Sequence, residues 1–221
     1  MKRWLAIAVF AAGLTHAPAA IRHVAPGGSH TPPFTNWPTA ATNIAGAVAL
    51  AGPGDTVLVS NGLYAVRSLV YLGQGVRVQS VNGPEVTVVS GSETSACFQI
   101  MHRDAVVDGF TLTGGRAWMG GAVFMSDGAT LQNCVVTGNQ ATLMGGGGVY
   151  VNLGGTISNC VIADNRALNQ GDGGGVYLMR DGRLLNSTVR GNQARVGGGV
   201  AALHYARIEA TAITGNQADQ G

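Results

Sequence analysis

One spacing recurs four times between Met119 and Gly221, and a chain that repeats itself this way has few folds open to it. Gly120 to Val123, Gly146 to Val149, Gly173 to Val176 and Gly197 to Val200 each open a unit, and Asn139, Asn165, Asn192 and Asn216 close one. Every unit runs 16 residues from its opening valine to its closing asparagine. From each asparagine to the next valine the count is 10, 11 and then 8. A fixed segment alternating with an elastic connection is the pattern of a solenoid, in which each unit stacks on the last.

Inside the fixed segment the apolar positions keep register. Val123, Val149, Val176 and Val200 form one row, and Met125, Val151, Leu178 and Ala202 follow two residues later. Leu131, Ile157, Leu184 and Ile208 form another, and Val136, Ile162, Val189 and Ile213 a further one. Residues two apart share a face of a strand, so each unit is built of short strands. No apolar run in the repeats has the 3.6-residue period of a helix. Three short strands per turn of 24 to 27 residues predict a right-handed parallel β-helix. Equivalent residues of successive turns should then lie ~4.8 Å apart.

Stacking accounts for the polar rows too. Asn139, Asn165, Asn192 and Asn216 are expected to form a ladder, each amide bonding the turns above and below, with Asn133, Asn159 and Asn186 as a second row. Asparagine suits both jobs, since it tolerates left-handed backbone and satisfies buried turn groups. The glycine triplets let one turn pass close to the next. Neither Gly-Lys-Ser/Thr nor a strand-to-helix context follows them, so they do not read as a phosphate-binding loop.

Units that open on Gly-Gly-Ala-Val or Gly-Gly-Gly-Val and close on hydrophobic-x-x-Asn resemble the repeats of polymorphic outer membrane proteins. That family pairs Gly-Gly-Ala-Ile with Phe-x-x-Asn; Val136, Ile162, Val189 and Ile213 stand here where its phenylalanine falls. More widely, the chain is similar to the pectin-lyase-like right-handed β-helix proteins. The first resemblance implies an adhesive surface protein, the second a polysaccharide-degrading enzyme.

The remaining segments fit around this core. Residues 1–19 read as a signal peptide: Lys2 and Arg3, an apolar stretch from Trp4 to Leu14, then Ala17-Pro18-Ala19, with cleavage expected after Ala19 or Ala20. The apolar stretch is too short for the ~20 residues of a membrane span, and no other such segment is seen. Residues 20–39 read as an extended leader and 40–221 as the β-helix. Ala40 to Ala51 predicts one helix, capped by Thr42 or Asn43 and stopped by Gly52-Pro53-Gly54. Helix, Pro-Gly-Asp, strand, then Gly-x-Tyr resembles the start of many extracellular β-helix proteins, where the helix covers the open end of the solenoid. Strands are expected over 76–80, 86–89, 97–100 and 106–113, with Gly115 aligned on Asn139, Leu112 on Val136 and Val107 on Leu131. A further glycine triplet is due after Asn216, so the solenoid reads as C-terminally incomplete.

Composition narrows the function classes. Net charge is +2, charged residues make up 11%, and the arginines are scattered, whereas nucleic-acid recognition wants a dense basic stripe. Three cysteines occur, at 97, 134 and 160. Cys134 and Cys160 hold equivalent positions in consecutive units and should stack. They are either buried thiols or a disulfide between coils, and their spacing fits no zinc site.

Chemistry is thinly spread. A glycosidase needs two carboxylates across the scissile bond, and a calcium-assisted lyase needs clustered acids and a base. Asp164 and Asp172 flank the variable loop 166–175, with Arg190 expected one coil above Asp164. Five separated histidines offer no catalytic triad. No catalytic, cofactor-binding or metal-binding residue is therefore assigned. Asn186-Ser187-Thr188 is a glycosylation sequon, discounted because Asn186 lies in a stacked row. Phe124, Tyr150 and Tyr177 should face outward one above another, either as a sugar-binding strip or simply as a stabilising ladder. Two functions remain: an exported adhesive or carbohydrate-binding β-helix at the cell envelope, or the N-terminal part of a polysaccharide lyase or hydrolase. Any ligand should meet the connections 140–148, 166–175 and 193–199 or the neighbouring aromatic row.

Overall fold

The computed structural model describes residues 18–66 and 68–220, so most of the expected signal peptide, residues 1–17, lies outside the described residues. Four parallel sheets, of eight, seven, six and five strands, run along one axis as the walls of a right-handed β-helix. One coil shows the pattern: Val123–Met125, Thr130–Gln132, Val135–Thr137 and Gln140–Gly145, after which Val149–Val151 begins the next. Pairing follows the repeat register, with Val123 beside Val149, Leu131 beside Ile157 and Val136 beside Ile162. The early coils align as expected, with Leu112 beside Val136 and Val107 beside Leu131.

The fourth strand is a departure from the three expected. The connections after the asparagines pair with one another, Gln140 with Arg166, Arg166 with Gln193 and Gln193 with Gln217. Most of these strands are two residues long, and the inward residue is the small Ala141, Ala167 or Ala194, all buried. Alanine carries no strand signature, which is why the sheet is invisible in the pattern of large apolar residues.

The inward rows fill the coil. Val123, Val149, Val176, Leu131, Ile157, Leu184, Val136, Ile162 and Val189 have no solvent exposure. Each such side chain removed from water contributes roughly 1.5–3 kcal/mol. At the corner after the seven-stranded sheet sits the asparagine ladder. The backbone N–H groups of Gly115, Asn139, Asn165 and Asn192 donate to Oδ1 of Asn139, Asn165, Asn192 and Asn216, at 2.8, 3.0, 2.9 and 2.9 Å.

A second corner holds a different row. Asn133, Asn159 and Asn186 are left-handed, with φ of 54°, 53° and 48°, and exposed. They are turn residues rather than a buried ladder, so stacking gives no reason to discount the sequon at Asn186. Beside them the chain turns inward: Phe110 N–H donates to Cys134 Sγ at 3.5 Å, Cys160 N–H to Ser187 Oγ at 3.1 Å, and Ser187 N–H to Thr211 Oγ1 at 3.3 Å. Cys134 and Cys160 are thus members of a thiol and hydroxyl row, buried and free. Val135 and Val161 beside them are register partners, which puts the two cysteines one strand spacing apart, ~4.8 Å.

The glycine triplets are steric requirements. Gly146 adopts φ of 61°, and a Cβ on Gly147 would lie 2.1 Å from the carbonyl oxygen of Gly174 in the next coil. No side chain fits that approach.

At the start, helix α1 spans Ile44–Leu50, and Asn43 caps it by accepting the Gly46 N–H at 2.8 Å. It buries Ile44, Ala47 and Val48 against strands Ile21–Val24, Thr56–Val59 and Val70–Leu72. The region 20–39 is more than an extended leader, because Ile21–Val24 is itself the first strand of the eight-stranded sheet, parallel to Thr56–Val59. Its single buried side chain, Val24, is too little for a strand signature.

Candidate functional site

The six-stranded sheet presents one outward residue per strand. In register order these are Tyr71, Gln99, Phe124, Tyr150, Tyr177 and Ala201. Phe124 and Tyr150 stack with centroids 5.6 Å apart and planes 12° off parallel; Tyr150 and Tyr177 are closer, at 4.9 Å and 4°. The row therefore exists as the repeat spacing implies. Its middle ring is not open to a ligand, however, since Tyr150 is only 5% exposed and its hydroxyl lies 3.1 Å from Met179 Sδ. For Tyr150 the stabilising role is the one the geometry supports. Burial raises its phenol pKa, and so does the neighbouring Tyr177.

An open aromatic surface lies to one side of the stacked rings, at Trp118. This residue is 73% exposed on the strand Arg116–Met119 of the five-stranded sheet. Opposite it the sheet bulges: Ala117 pairs with Ala141 but Met119 with Gly145, so the partner strand carries extra residues there. A bulge re-aims side chains, and Leu143 and Met144 at this one are each more than half exposed. Arg116 Nη1 donates to Gln140 Oε1 at 3.1 Å and Thr142 Oγ1 to the Ala117 carbonyl at 3.1 Å, which hold the two strands together around the irregularity.

Trp118 is the shared wall of two hollows. One, of about 310 Å³, is lined by Leu69, Ala96, Phe98, Gln99, Met119 and Phe124. The other, of about 490 Å³, adds Glu93, Thr94, Ser95, Arg116 and Thr142. Together they form a groove with an aromatic wall, an apolar floor and one acid and one base on its rim. Such a mixture binds molecules that carry both C–H faces and hydroxyls. Nothing in the repeat pattern marks Trp118, because it stands in the first, irregular connection. Its one sequence signal is a tryptophan in a short connection between glycines, beside Arg116, Ala117 and Met119. A larger hollow of about 580 Å³ beside helix α1 offers one titratable group among the described residues, Tyr64, whose hydroxyl already bonds Ser60.

The two acids of the loop have different surroundings. Asp164 is an exposed turn residue with φ of 56°, and the residue stacked on it is Gly191, whose added Cβ would strike its carboxylate. Arg190 pairs instead with Ala163, because the asparagines at 165 and 192 set the register and leave Arg190 one place short. Asp172 has a different partner. Its Oδ1, shut off from solvent, lies 2.9 Å from Arg195 Nη2, a charge contact without hydrogen-bond alignment. Arg195 also donates to the Gln170 carbonyl at 3.0 Å, so it ties down the loop 166–175. Burial and then the Asp172 charge push up the pKa of Tyr177 at the end of the stacked row. Among the described residues no group of three or more His, Cys, Asp or Glu side chains is placed to hold a metal ion, and no helix is long and apolar enough to cross a membrane.

Comparison with known proteins agrees with this architecture. A pectin methylesterase solved in complex with hexasaccharide VII superimposes with a TM-score of 0.56, over 87% of this chain and 67% of that one, at 12% identity. A pectate lyase gives a TM-score of 0.49, over 93% and 79%, at 15% identity. At 12% identity the likeness to the methylesterase is one of fold alone. No curated protein sequence matches the chain. The family model described as the right handed beta helix region matches residues 50–218, and with strand pairing that runs coil to coil throughout this segment, the chain belongs to the right-handed β-helix family.

Proposed function

We propose that this is an exported β-helix protein of the cell envelope or its surroundings that binds polysaccharide without transforming it, in the groove beside Trp118. The observation that carries this reading is the exposed indole walling a groove with Gln99, Arg116 and Glu93 around it. An indole face stacks on the C–H face of a pyranose, and the rim side chains reach its hydroxyls or carboxylates. The charged leader Lys2-Arg3, the apolar stretch after it and Ala17-Pro18-Ala19 support export. The Gly-Gly-x-Val repeats support a surface role of the kind the polymorphic outer membrane protein repeats serve. The fold shared with a pectin methylesterase solved with a hexasaccharide is compatible with a sugar ligand.

The test is affinity electrophoresis of the protein through gels containing pectic, other acidic and neutral polysaccharides, one at a time. At least one should retard the wild type, and Trp118→Ala should remove the retardation while circular dichroism stays unchanged. Free migration of the wild type through every gel, or equal retardation of Trp118→Ala, sinks the reading.

A second reading, a polysaccharide lyase or hydrolase, is favoured by one observation: the buried Asp172 oxygen against Arg195, beside Tyr177. It requires release of reducing ends or unsaturated products from a bound polysaccharide, abolished by Asp172→Asn. Intact polymer after prolonged incubation dismisses it.

A further inference from the structure

The first strand begins in an arrangement that the binding site does not use. Asp55 is 7% exposed, and its carboxylate gathers three donors. Gly52 N–H reaches Oδ2 at 2.9 Å, Arg22 Nη2 reaches Oδ2 at 3.1 Å, and the backbone nitrogen of Ala20 reaches Oδ1 at 2.7 Å. Among the described residues Ala20 is thus the first anchored to the body of the protein: its carbonyl accepts Thr56 N–H at 2.9 Å, and Ile21 next to it opens the first strand. Pro18 and Ala19, before it, are exposed.

The sequence marks the same boundary independently. Ala17-Pro18-Ala19 fits the small-x-small pattern of a signal-peptidase site with the cut after Ala19. A cut after Ala20 would place Pro18 at the first small position, and would also remove both bonds that Ala20 makes.

We propose that the leader is removed by hydrolysis of the Ala19–Ala20 bond, and that the new α-ammonium of Ala20 forms an ion pair with Asp55 that locks the first strand onto the solenoid. This rests on the export reading above, but not on the sugar-binding one. A signal peptidase supplies the catalysis and water the atoms: its oxygen completes the carboxylate of Ala19, and its protons leave Ala20 as an ammonium. The donor at 2.7 Å then changes from a neutral amide to a cation. Charge-assisted hydrogen bonds are roughly twice as strong as neutral ones. The change matters most at a carboxylate shielded from water, where Arg22 is the one other paired cation among the described residues. Processing would in this way complete the fold as well as release the leader.

Chemistry makes the test selective. Lys2 is the only lysine, so once the leader is gone the α-amine of Ala20 is the sole primary amine in the protein. The full chain is produced in an exporting host, and the mature product is sequenced from its N-terminus by mass spectrometry; Ala20 should be first. The mature protein is then treated with an amine-reactive ester, folded and in denaturant. The folded amine should react at least tenfold more slowly than the unfolded one. A sample acetylated while unfolded and then refolded should melt at least a few degrees lower than the free amine, and this comparison needs no variant that could misfold. Retention of residues 1–19 would overturn both the export reading and this proposal. A mature chain starting elsewhere would leave export standing and overturn this proposal alone. Equal reactivity in the two states, or equal melting of the free and acetylated forms, overturns the ion pair.

Discussion

Asn165 Nδ2 donates to Asn192 Oδ1 at 3.0 Å, one coil further on, while Asn165 Oδ1 accepts Asn139 Nδ2 at 2.9 Å from the coil before. The same nitrogen also meets the carbonyls of Val136 and Ala163, at 2.9 and 3.0 Å. With 1% exposure there is no water to replace any of these partners.

Asn165→Ala should therefore destabilise the protein by about 1–3 kcal/mol, because buried backbone groups of two coils and the side-chain amides of Asn139 and Asn192 lose a partner at once. Asn159→Gly, at an exposed turn whose left-handed backbone glycine adopts freely, should cost less than half as much. Chemical denaturation of the two variants beside the wild type measures both, and equal losses would remove the distinction between ladder and turn.

The glycine triplets set a sharper contrast. Gly147→Ala should cost roughly 3 kcal/mol or more, or prevent folding, since the added carbon meets backbone at 2.1 Å rather than a movable side chain. Gly27→Ala, with nothing within 4 Å, should lie within about 0.5 kcal/mol of the wild type. Thermal melts of the two proteins decide this.

The cysteines should behave as small polar core residues. Burial pushes the Cys97 thiol up to about 12 and the Cys134 thiol well above its ordinary value, with Cys160 beside Cys134 adding to the rise. A thiol reagent at mildly alkaline pH should find none of the three in the folded protein and all three in denaturant. Cys134→Ser should be tolerated, because a hydroxyl can accept the Phe110 N–H as Ser187 accepts that of Cys160. Cys134→Val leaves that N–H without an acceptor and should cost about 1–3 kcal/mol.

Asp55 gives a pH dependence with a defined sign. Burial alone would raise its pKa, but the N–H groups of Ala20 and Gly52 and the Arg22 guanidinium together hold it below the ordinary value. A carboxyl whose folded pKa is depressed contributes stability above the unfolded value of about 3.9 and loses it as pH falls through the folded one. The melting temperature should fall over that acidic range, and Asp55→Asn should be less stable at neutral pH with a shallower acid dependence. A variant with an unaltered acid limb would show that the loss comes from other carboxylates.

Much of this molecule could be read from its residues, and the parts that could not share a cause. Rows such as Val136, Ile162 and Val189 announce themselves because large side chains must meet every coil. The strands around Ala141, Ala167 and Ala194 are held by backbone pairing and filled by a methyl group, so composition does not separate them from a loop. Cys134 and Cys160 were legible as a stacked pair, and so were the asparagines of the ladder. The exposed character of Asn133, Asn159 and Asn186 was not, since recurrence shows that residues align without showing which way they point. The aromatic row follows from the same register as the core, and that register does not reveal how deeply Tyr150 is buried. Trp118 carries no such signal, because it stands where the repetition has not yet begun. Arg195, which partners Asp172, escaped because its contact crosses between two connections of unequal length.

The uniform stretch from Val to Asn also bears on how such a chain can change over generations. Each coil offers its neighbours the same atoms at the same places: a valine to pack on, an asparagine to receive one N–H and pass on the next, a glycine thin enough to lie against. Excising or duplicating the stretch between two equivalent positions, Asn139 and Asn165 for instance, rejoins partners of identical kind, whereas losing a single residue inside it would invert the alternation beyond that point. Unequal recombination between neighbouring repeats is therefore nearly silent for the fold, and the gene is free to vary in length by whole coils while the groove near its first connection stays as it is.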